Sequence, residues 1–358
     1  MTPRLLLCTT NGTGLGHLTR TMAIARRLPD RWTPVIFSLS QAVPVVRQQG
    51  FACEFLPSAG YAGLDRGDWN LLYERRLGEL LFEYDPAVVA FDGTYPYVGL
   101  FAQMPAHRQR RFVWVRRAMW KPGLGRESLG RARLFDRIIE PGEIAEDADQ
   151  GGTVAQRQQA IRVGPVLATE PDELHPRPTA RTRLGLEADA TWALVQLGAG
   201  AINDTSTLIG AALAGLSEVP GVRIALAEST IAQRRTDVPQ GVRSLQRYPL
   251  APDLAAFDLA VTAAGYNSVH ELAAAGVPTI FAPNRDTQLD DQLARARYLA
   301  QQDAARCWDD GTLEGFRTQL ATLLDPSTRA KVGQRARSLV TAGGARQAAD
   351  ALVEGLTP

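Results

Sequence analysis

The sequence is poor in cysteine, has no long apolar run and carries almost no net charge, and each shortage removes a class of protein. Cys8, Cys53 and Cys307 are odd in number, widely spaced and without a C-x-x-C pair. That excludes a disulfide scaffold and a thiolate zinc site, and it fits a reducing compartment. No stretch approaches the 18 apolar residues of a membrane span. The N-terminal MTPRLLLCTTNGTG has one basic residue and too short an apolar run for a secretory signal, so the expected location is cytoplasmic. A net charge of +1 excludes the strongly basic balance of a nucleic-acid binder. The charge is uneven, however. Residues 1–165 carry 21 basic and 16 acidic side chains, and the remainder 18 and 22.

What is present is the composition of a globular protein, 45% apolar and 22% charged, over 358 residues. That length suits two domains, each with its own core. Short apolar runs at 4–10, 34–38, 52–56, 87–91 and 112–115 alternate with helical patterns, which predicts a parallel, doubly wound sheet. After the first run comes a glycine-rich turn, Gly12, Gly14, Gly16, and then His17 at the start of a helix. The spacing is G-x-G-x-G rather than G-x-G-x-x-G, and the second strand ends without an acidic residue, so a dinucleotide site is not expected. A Walker pattern is also missing.

His17 at a helix N-terminus is expected to stay neutral and able to accept a proton. Asp92 ends the fourth apolar run. In the strand order 3-2-1-4-5 that run lies beside the first, at the switch point where ligands bind, and Asp92 would meet His17 there. A carboxylate behind an imidazole fixes its tautomer and stabilises the imidazolium. Taken singly, a capping histidine and a turn-forming aspartate are the simpler readings; together at strand ends the two residues favour a dyad.

The chain turns polar and proline-rich after Val163-Gly-Pro-Val166, which reads as a linker containing His175. A second alternating series begins at Thr191. Its most informative stretch is 257–285, FDLAVTAAGYNSVHELAAAGVPTIFAPNR: an apolar run, a turn at Gly265, a helix over 267–275 stopped by Gly276 and Pro278, and a second apolar run. A strand, a glycine turn and a helix N-terminus together make an anion site. Ser268-Val-His-Glu271 also matches a capping box, which gives Glu271 a competing structural role.

Other segments carry weaker signals. Residues 60–70, with Tyr61, Asp65, Asp68 and Trp69, read as an acceptor-side loop. HRQRRFVWVRRAMWK, residues 107–121, leaves a peripheral membrane contact open. Its preferred reading is a core strand flanked by solvated arginines. Asp147-Ala-Asp149 has the D-x-D form of a metal chelate but sits in an acidic run away from any strand end, so chance is the better explanation.

These residues together resemble a GT-B glycosyltransferase, of the MurG-like group that uses nucleotide-diphosphate sugars. The resemblance rests on Gly12-Thr-Gly-Leu-Gly-His17, on Val163-Gly-Pro-Val166, on Gly198-Ala-Gly200, and above all on Ala264 to Pro278 followed by Asp291-Gln292. It implies two Rossmann-like α/β domains facing across a cleft. Residues 1–165 would bind the acceptor, residues 166–340 the nucleotide sugar, and a helix within 341–358 would pack back on the first domain.

Residue by residue, the resemblance implies that Glu271 holds the ribose hydroxyls and that Gly265, Asn267 and Ser268 receive the diphosphate. Asp291 and Gln292 would bind the sugar, Tyr248 and Leu250 would lie at the base, and Gly198 and Gly200 would let backbone approach the donor. His17 matches the general base of related transferases, with Asp92 as its partner. One departure stands out. MurG-like enzymes often carry an arginine just past the hinge, where this chain has Leu167 and Ala168. The N-terminal turn is also not the GGTGGH of lipid-linked peptidoglycan synthesis.

The expected activity is an inverting, metal-independent transfer from an NDP-sugar, UDP-linked by preference, to an acceptor hydroxyl, in natural-product, polysaccharide or lipid-linked glycan synthesis. The sugar nucleotide is a co-substrate, no cofactor or metal is called for, and domain closure would exclude water. Two alternatives share the architecture: a 2-epimerase of UDP-N-acetyl sugars, and a non-catalytic nucleotide-sugar-binding protein. The sequence leaves the acceptor, the sugar, the base and the oligomeric state open.

Overall fold

A computed structural model describes residues 2–10, 15–198, 205–228 and 238–356. The chain forms two compact units. The first comprises residues 1–143, 149–166 and 343–358, and the second residues 144–148 and 167–342. Gly12, Gly14 and Gly200, three of the predicted site residues, lie outside the described residues.

The first unit is built on a seven-stranded sheet. Its strands are β1 (Arg4–Thr9), β2 (Thr33–Ser38), β3 (Ala52–Phe55), β4 (Val88–Asp92), β5 (Arg111–Val115), β6 (Arg137–Pro141) and β7 (Ile161–Val163). The order is β3-β2-β1-β4-β5-β6-β7, and every pairing is parallel. Leu5, Leu6, Leu7 and Cys8 are all buried, as a strand covered on both faces requires. The register sets Thr9 opposite Asp92 and Asp92 opposite Val115, so the ends of β1, β4 and β5 lie side by side. Order reverses between β1 and β4, which makes this edge the ligand crevice of a doubly wound sheet.

The Gly344–Val353 helix also belongs to the first unit. A side chain at Gly344 would run into the carbonyl oxygens of Gly164 and Pro165, so glycine permits this close approach. Arg111 and Arg137 fasten the helix by donating to the carbonyls of Leu352 (3.2 Å) and Ala351 (2.9 Å).

The second unit holds a six-stranded parallel sheet. Its strands are β8 (Thr191–Gln196), β9 (Val222–Ala227), β10 (Val242–Leu245), β11 (Leu259–Thr262), β12 (Thr279–Phe281) and β13 (Arg306–Cys307), in the order β10-β9-β8-β11-β12-β13. Alternate residues feed two cores. Ala193, Val195, Ile224 and Leu226 pack on one face with Phe316 and Leu320, while Trp192, Leu194 and Ala225 pack on the other with Leu254 and Leu272. The switch point here lies between β8 and β11.

Three expectations need correction. Residues 60–70 are not a loop. Asp65 caps the Arg66–Tyr84 helix by accepting from the N–H groups of Gly67 and Asp68, and Trp69 is buried with its indole N–H on the Pro57 carbonyl at 2.7 Å. The proline-rich linker is ordered, with a helix at Arg177–Leu184 and His175 Nδ1 2.7 Å from the buried Asp253 carboxylate. In residues 107–121 the strand is core, as preferred, but its flanking arginines are only partly solvated: Arg108 is exposed and Arg111 and Arg117 half-buried, while two others are buried. Arg110 is buried on the Pro86 and Leu81 carbonyls, and Arg116 is buried on Glu140. Phe112, Trp114, Met119 and Trp120 are buried as well, so the aromatics of this segment belong to the core.

Candidate functional site

In the first unit, chemistry gathers at the carboxyl ends of β1 and β4. β1 delivers the chain to the Gly16–Arg26 helix, which places His17 in its first turn, and β4 ends on Asp92. His17 Nδ1 lies 2.5 Å from Asp92 Oδ1, with the imidazole 16% exposed and the carboxylate buried. Arg20, one turn along the same helix, grips the same carboxylate with two groups. Its Nε donates to Oδ2 at 2.7 Å and its Nη2 donates to Oδ1.

Burial by itself would raise the Asp92 carboxyl. The Arg20 guanidinium and the hydrogen bond from His17 outweigh it and hold Asp92 below the usual carboxylate range. An ionised carboxylate only accepts hydrogen bonds. The short contact therefore places the imidazole proton on Nδ1 and leaves Nε2 with its lone pair. Burial lowers the His17 pKa, Asp92 opposes that shift, and Arg20 and Arg117 add to it. The net direction favours a neutral ring, for a different leading reason than the helix dipole. Arg20 escaped the sequence reading; the signal that could have found it is its i, i+3 spacing from His17.

In the second unit, the Tyr266–Ala275 helix follows β11 through Gly265, which is its N-cap. The helix starts one residue earlier than the sequence predicts. Ser268 therefore lies inside the first turn, and no side chain caps the N-terminus, so the capping-box reading of Glu271 fails. The half-buried Glu271 carboxylate instead accepts a hydrogen bond from the backbone N–H of Ala168. Burial pushes its pKa up to about 7, a shift that this hydrogen bond only partly opposes. The backbone of Ala168 thus meets an acid at the place where the resemblance implies an arginine.

Other predicted donor residues divide into exposed and committed ones. Asn267 and Ser268 are half-exposed in the first turn of the helix, where N–H groups generally lack intrahelical acceptors and the dipole is positive. Gly198 stands just past β8, exposed, with φ of +101°. Tyr248 is half-exposed and Leu250 buried, between β10 and a short 3-10 turn at Ala251–Ala256.

Asp291 caps the Gln292–Gln301 helix by accepting from Ala294 N–H at 3.0 Å. Gln292 is buried, accepting from Asn284 N–H (3.0 Å) and donating to Asp290 (3.3 Å). Arg295, fully buried, joins Asp290 (2.9 Å) to the Ala264 carbonyl (2.8 Å) and so ties this segment to the turn before the Tyr266–Ala275 helix. Neither Arg295 nor the fully buried His270 was singled out from the sequence. His270 lies 2.7 Å from the Tyr266 carbonyl through Nδ1 and accepts from Ile144 N–H at 3.1 Å through Nε2.

The D-x-D reading loses its support. Asp149 accepts from Met119 and Gly151 N–H and pairs with Arg157 at 2.6 Å, while Asp147 accepts from Tyr298 OH. Among the described residues, no group of three or more His, Cys, Asp or Glu side chains is arranged to hold a metal ion.

Residues 240–351 match the glycosyltransferase family 28 C-terminal domain, the span that holds Tyr248, Glu271 and Asp291. The UDP-N-acetylglucosamine–N-acetylmuramyl-(pentapeptide) pyrophosphoryl-undecaprenol N-acetylglucosamine transferase of Alkalilimnicola ehrlichii is 29% identical over 360 residues, covering 93% of this chain and 94% of the relative. Two solved structures share the fold, each at 18% identity and over 98% of this chain. They are the spinosyn rhamnosyltransferase SpnG complexed with thymidine diphosphate (TM-score 0.71, all of that chain) and Acinetobacter baumannii MurG (TM-score 0.61, 99% of that chain). The chain is a glycosyltransferase of the GT-B fold, and MurG is among the proteins it resembles over most of its length.

Proposed function

We propose that this enzyme moves N-acetylglucosamine from a UDP-linked donor to a hydroxyl of a lipid-linked or polysaccharide acceptor, with inversion at the anomeric carbon and without a metal ion. The observation that carries the reading is Asp92, held ionised 2.5 Å from His17 Nδ1, which leaves Nε2 as the proton acceptor. The relative from Alkalilimnicola supplies the nucleotide, the sugar and the lipid-linked class of acceptor.

In this mechanism the acceptor O–H gives its proton to His17 Nε2. The freed oxygen forms its bond to C1 while the bond from C1 to the diphosphate oxygen breaks on the opposite face. The imidazolium that results is balanced by Asp92. Charge on the departing UDP is met by the first turn of the Tyr266–Ala275 helix, with Gly265, Asn267 and Ser268, a preorganised dipole that needs no reorganisation. Glu271 accepts from the ribose hydroxyls, Asp291 and Gln292 meet the sugar, and Tyr248 and Leu250 border the base. Gly198 gives the donor room against backbone.

The test is turnover of UDP-N-acetylglucosamine with an acceptor panel, in EDTA, for wild type and His17→Ala. The variant should lose about 10²–10⁴-fold in turnover while UDP binding persists. Near-normal turnover would sink the base assignment, and turnover that needs added Mg²⁺ or Mn²⁺ would sink the metal-free reading. A control with donor alone separates the alternatives, because an epimerase yields the 2-epimer and a binding protein yields nothing.

A further inference from the structure

Arg20 is the strongest unassigned feature of the molecule. It lies one helical turn from His17 with its side chain 2% exposed, and it spends two of its donors on a single carboxylate. A buried guanidinium aligned on both oxygens of Asp92 does more than neutralise charge. Asp92 Oδ1 receives both His17 Nδ1 and Arg20 Nη2, while Nη2 itself comes within 3.0 Å of Nδ1. An N–H on Nδ1 and an N–H on Arg20 cannot bond to each other; both donate to Oδ1, which has a lone pair for each, and the contact brings the guanidinium charge close to the ring.

We propose that Arg20 is a positioning residue that sets how strongly Asp92 acts on His17: it orients the carboxylate and at the same time limits the stabilisation the carboxylate gives to a protonated imidazole. The proposal rests on the reading of His17 as the base and adds a third member to the pair.

Two effects of opposite sign follow. The fork fixes the plane of the carboxylate, so Oδ1 faces Nδ1 and the lone pair stays on Nε2. The positive charge of Arg20 also disfavours a second positive charge on the ring a few ångströms away. A dyad without Arg20 would hold a proton more tightly, so a smaller fraction of the ring would be neutral at a given pH. The charged groups that face His17 are Asp92 at the end of β4, Arg20 on its own helix, and Arg117 just past β5. Asp92 acts to retain the proton, while Arg20 and Arg117 act to release it.

The chain has four histidines, so ¹⁵N-labelled histidine with His17→Gln as the assignment control reads the His17 titration directly, without any activity assay. Arg20→Gln keeps a donor to Asp92 and removes the charge. Its His17 midpoint should rise by about one pH unit, and the acidic limb of kcat/KM should move with it. Arg20→Lys restores the charge but not the fork. Its midpoint should return to within about 0.3 unit of wild type while kcat stays several-fold low, because orientation is not recovered.

A folded Arg20→Gln with an unchanged midpoint would overturn the proposal. Should Arg20→Gln not fold, Arg20→Lys carries the test alone, and a full-unit rise in that variant would overturn it equally. Failure of the base reading is separable. It would appear as active His17→Ala, and the shift in the ring titration does not depend on it.

Discussion

Each unit places a carboxylate close to the switch point of its sheet, and the two are treated in opposite ways. Asp92 ends β4 beside the switch point of the first sheet, and Glu271 lies within the helix that follows β11 in the second. Asp92 is buried, but a guanidinium and an imidazole N–H hold it ionised. Glu271 has one backbone N–H from Ala168, and burial leaves its pKa near 7. Doubly wound topology supplies a crevice; the neighbours decide whether the acid in it carries a fixed charge or titrates near neutrality. A fixed charge suits a group that must steady an imidazolium. A titrating acid beside a helix N-terminus suits a group that exchanges a poor backbone partner for ligand hydroxyls.

Removing the charge from each acid breaks the comparison most directly. Asp92→Asn leaves Arg20 buried against a neutral amide, and that amide can offer N–H to His17 and turn its tautomer around. Turnover should fall on the order of 10²–10⁴-fold, and urea unfolding should show a loss of about 3–5 kcal/mol, since the buried Arg20 loses its carboxylate. An Asp92→Asn enzyme as stable as wild type would show that the Arg20 pairing is not what holds Asp92 ionised.

Glu271→Gln should do the reverse to stability. The unfolded carboxyl titrates near 4.5 and the folded one near 7, so between those values the native state binds more protons. Wild-type stability conferred by this group is therefore complete below about 4.5 and is lost as pH rises to about 7. The glutamine variant has no such loss. Its melting temperature should match wild type near pH 4.5 and exceed it at pH 8, by the equivalent of about 1–3 kcal/mol. Wild-type UDP affinity is expected to weaken below pH 7, where protonation weakens a ribose acceptor, and the glutamine variant should lack that dependence. Parallel melting temperatures at both pH values would show that Glu271 is not perturbed.

The sequence was legible wherever physics is local. Continuous apolar runs such as Leu5–Cys8 and Ala193–Val195 exposed the buried parallel strands, and from them came the order that joins His17 to Asp92. Illegible were features set by distant neighbours. β6 was missed because Glu140 and Pro141 interrupt its apolar pattern, and Glu140 is tolerated there because Arg116 and Arg157 lie against it. Ser268-x-x-Glu271 fits a capping box by spacing, yet Gly265 takes the N-cap and tertiary packing gives Glu271 to Ala168. Arg20 reads as one more arginine of an amphipathic helix until the facing strand supplies Asp92.

The smallest expected effect falls on Asp291, where the two readings of one residue differ most cleanly. Its carboxylate already accepts from Ala294 N–H, a complete N-cap role that needs no ligand. A sugar hydroxyl could still donate to its other oxygen, because a carboxylate offers about four lone-pair sites. Asp291→Ser keeps a capping oxygen and removes the charge; Asp291→Ala removes both. If the residue only caps, serine should be neutral in stability and in donor KM, and alanine should cost about 1 kcal/mol without moving KM. If it also meets the sugar, serine should hold the melting temperature and still raise KM for UDP-N-acetylglucosamine several-fold, while UDP itself, lacking the sugar, binds both variants as it binds wild type. The proposed function requires the second pattern, and the first would leave Asp291 with the helix alone.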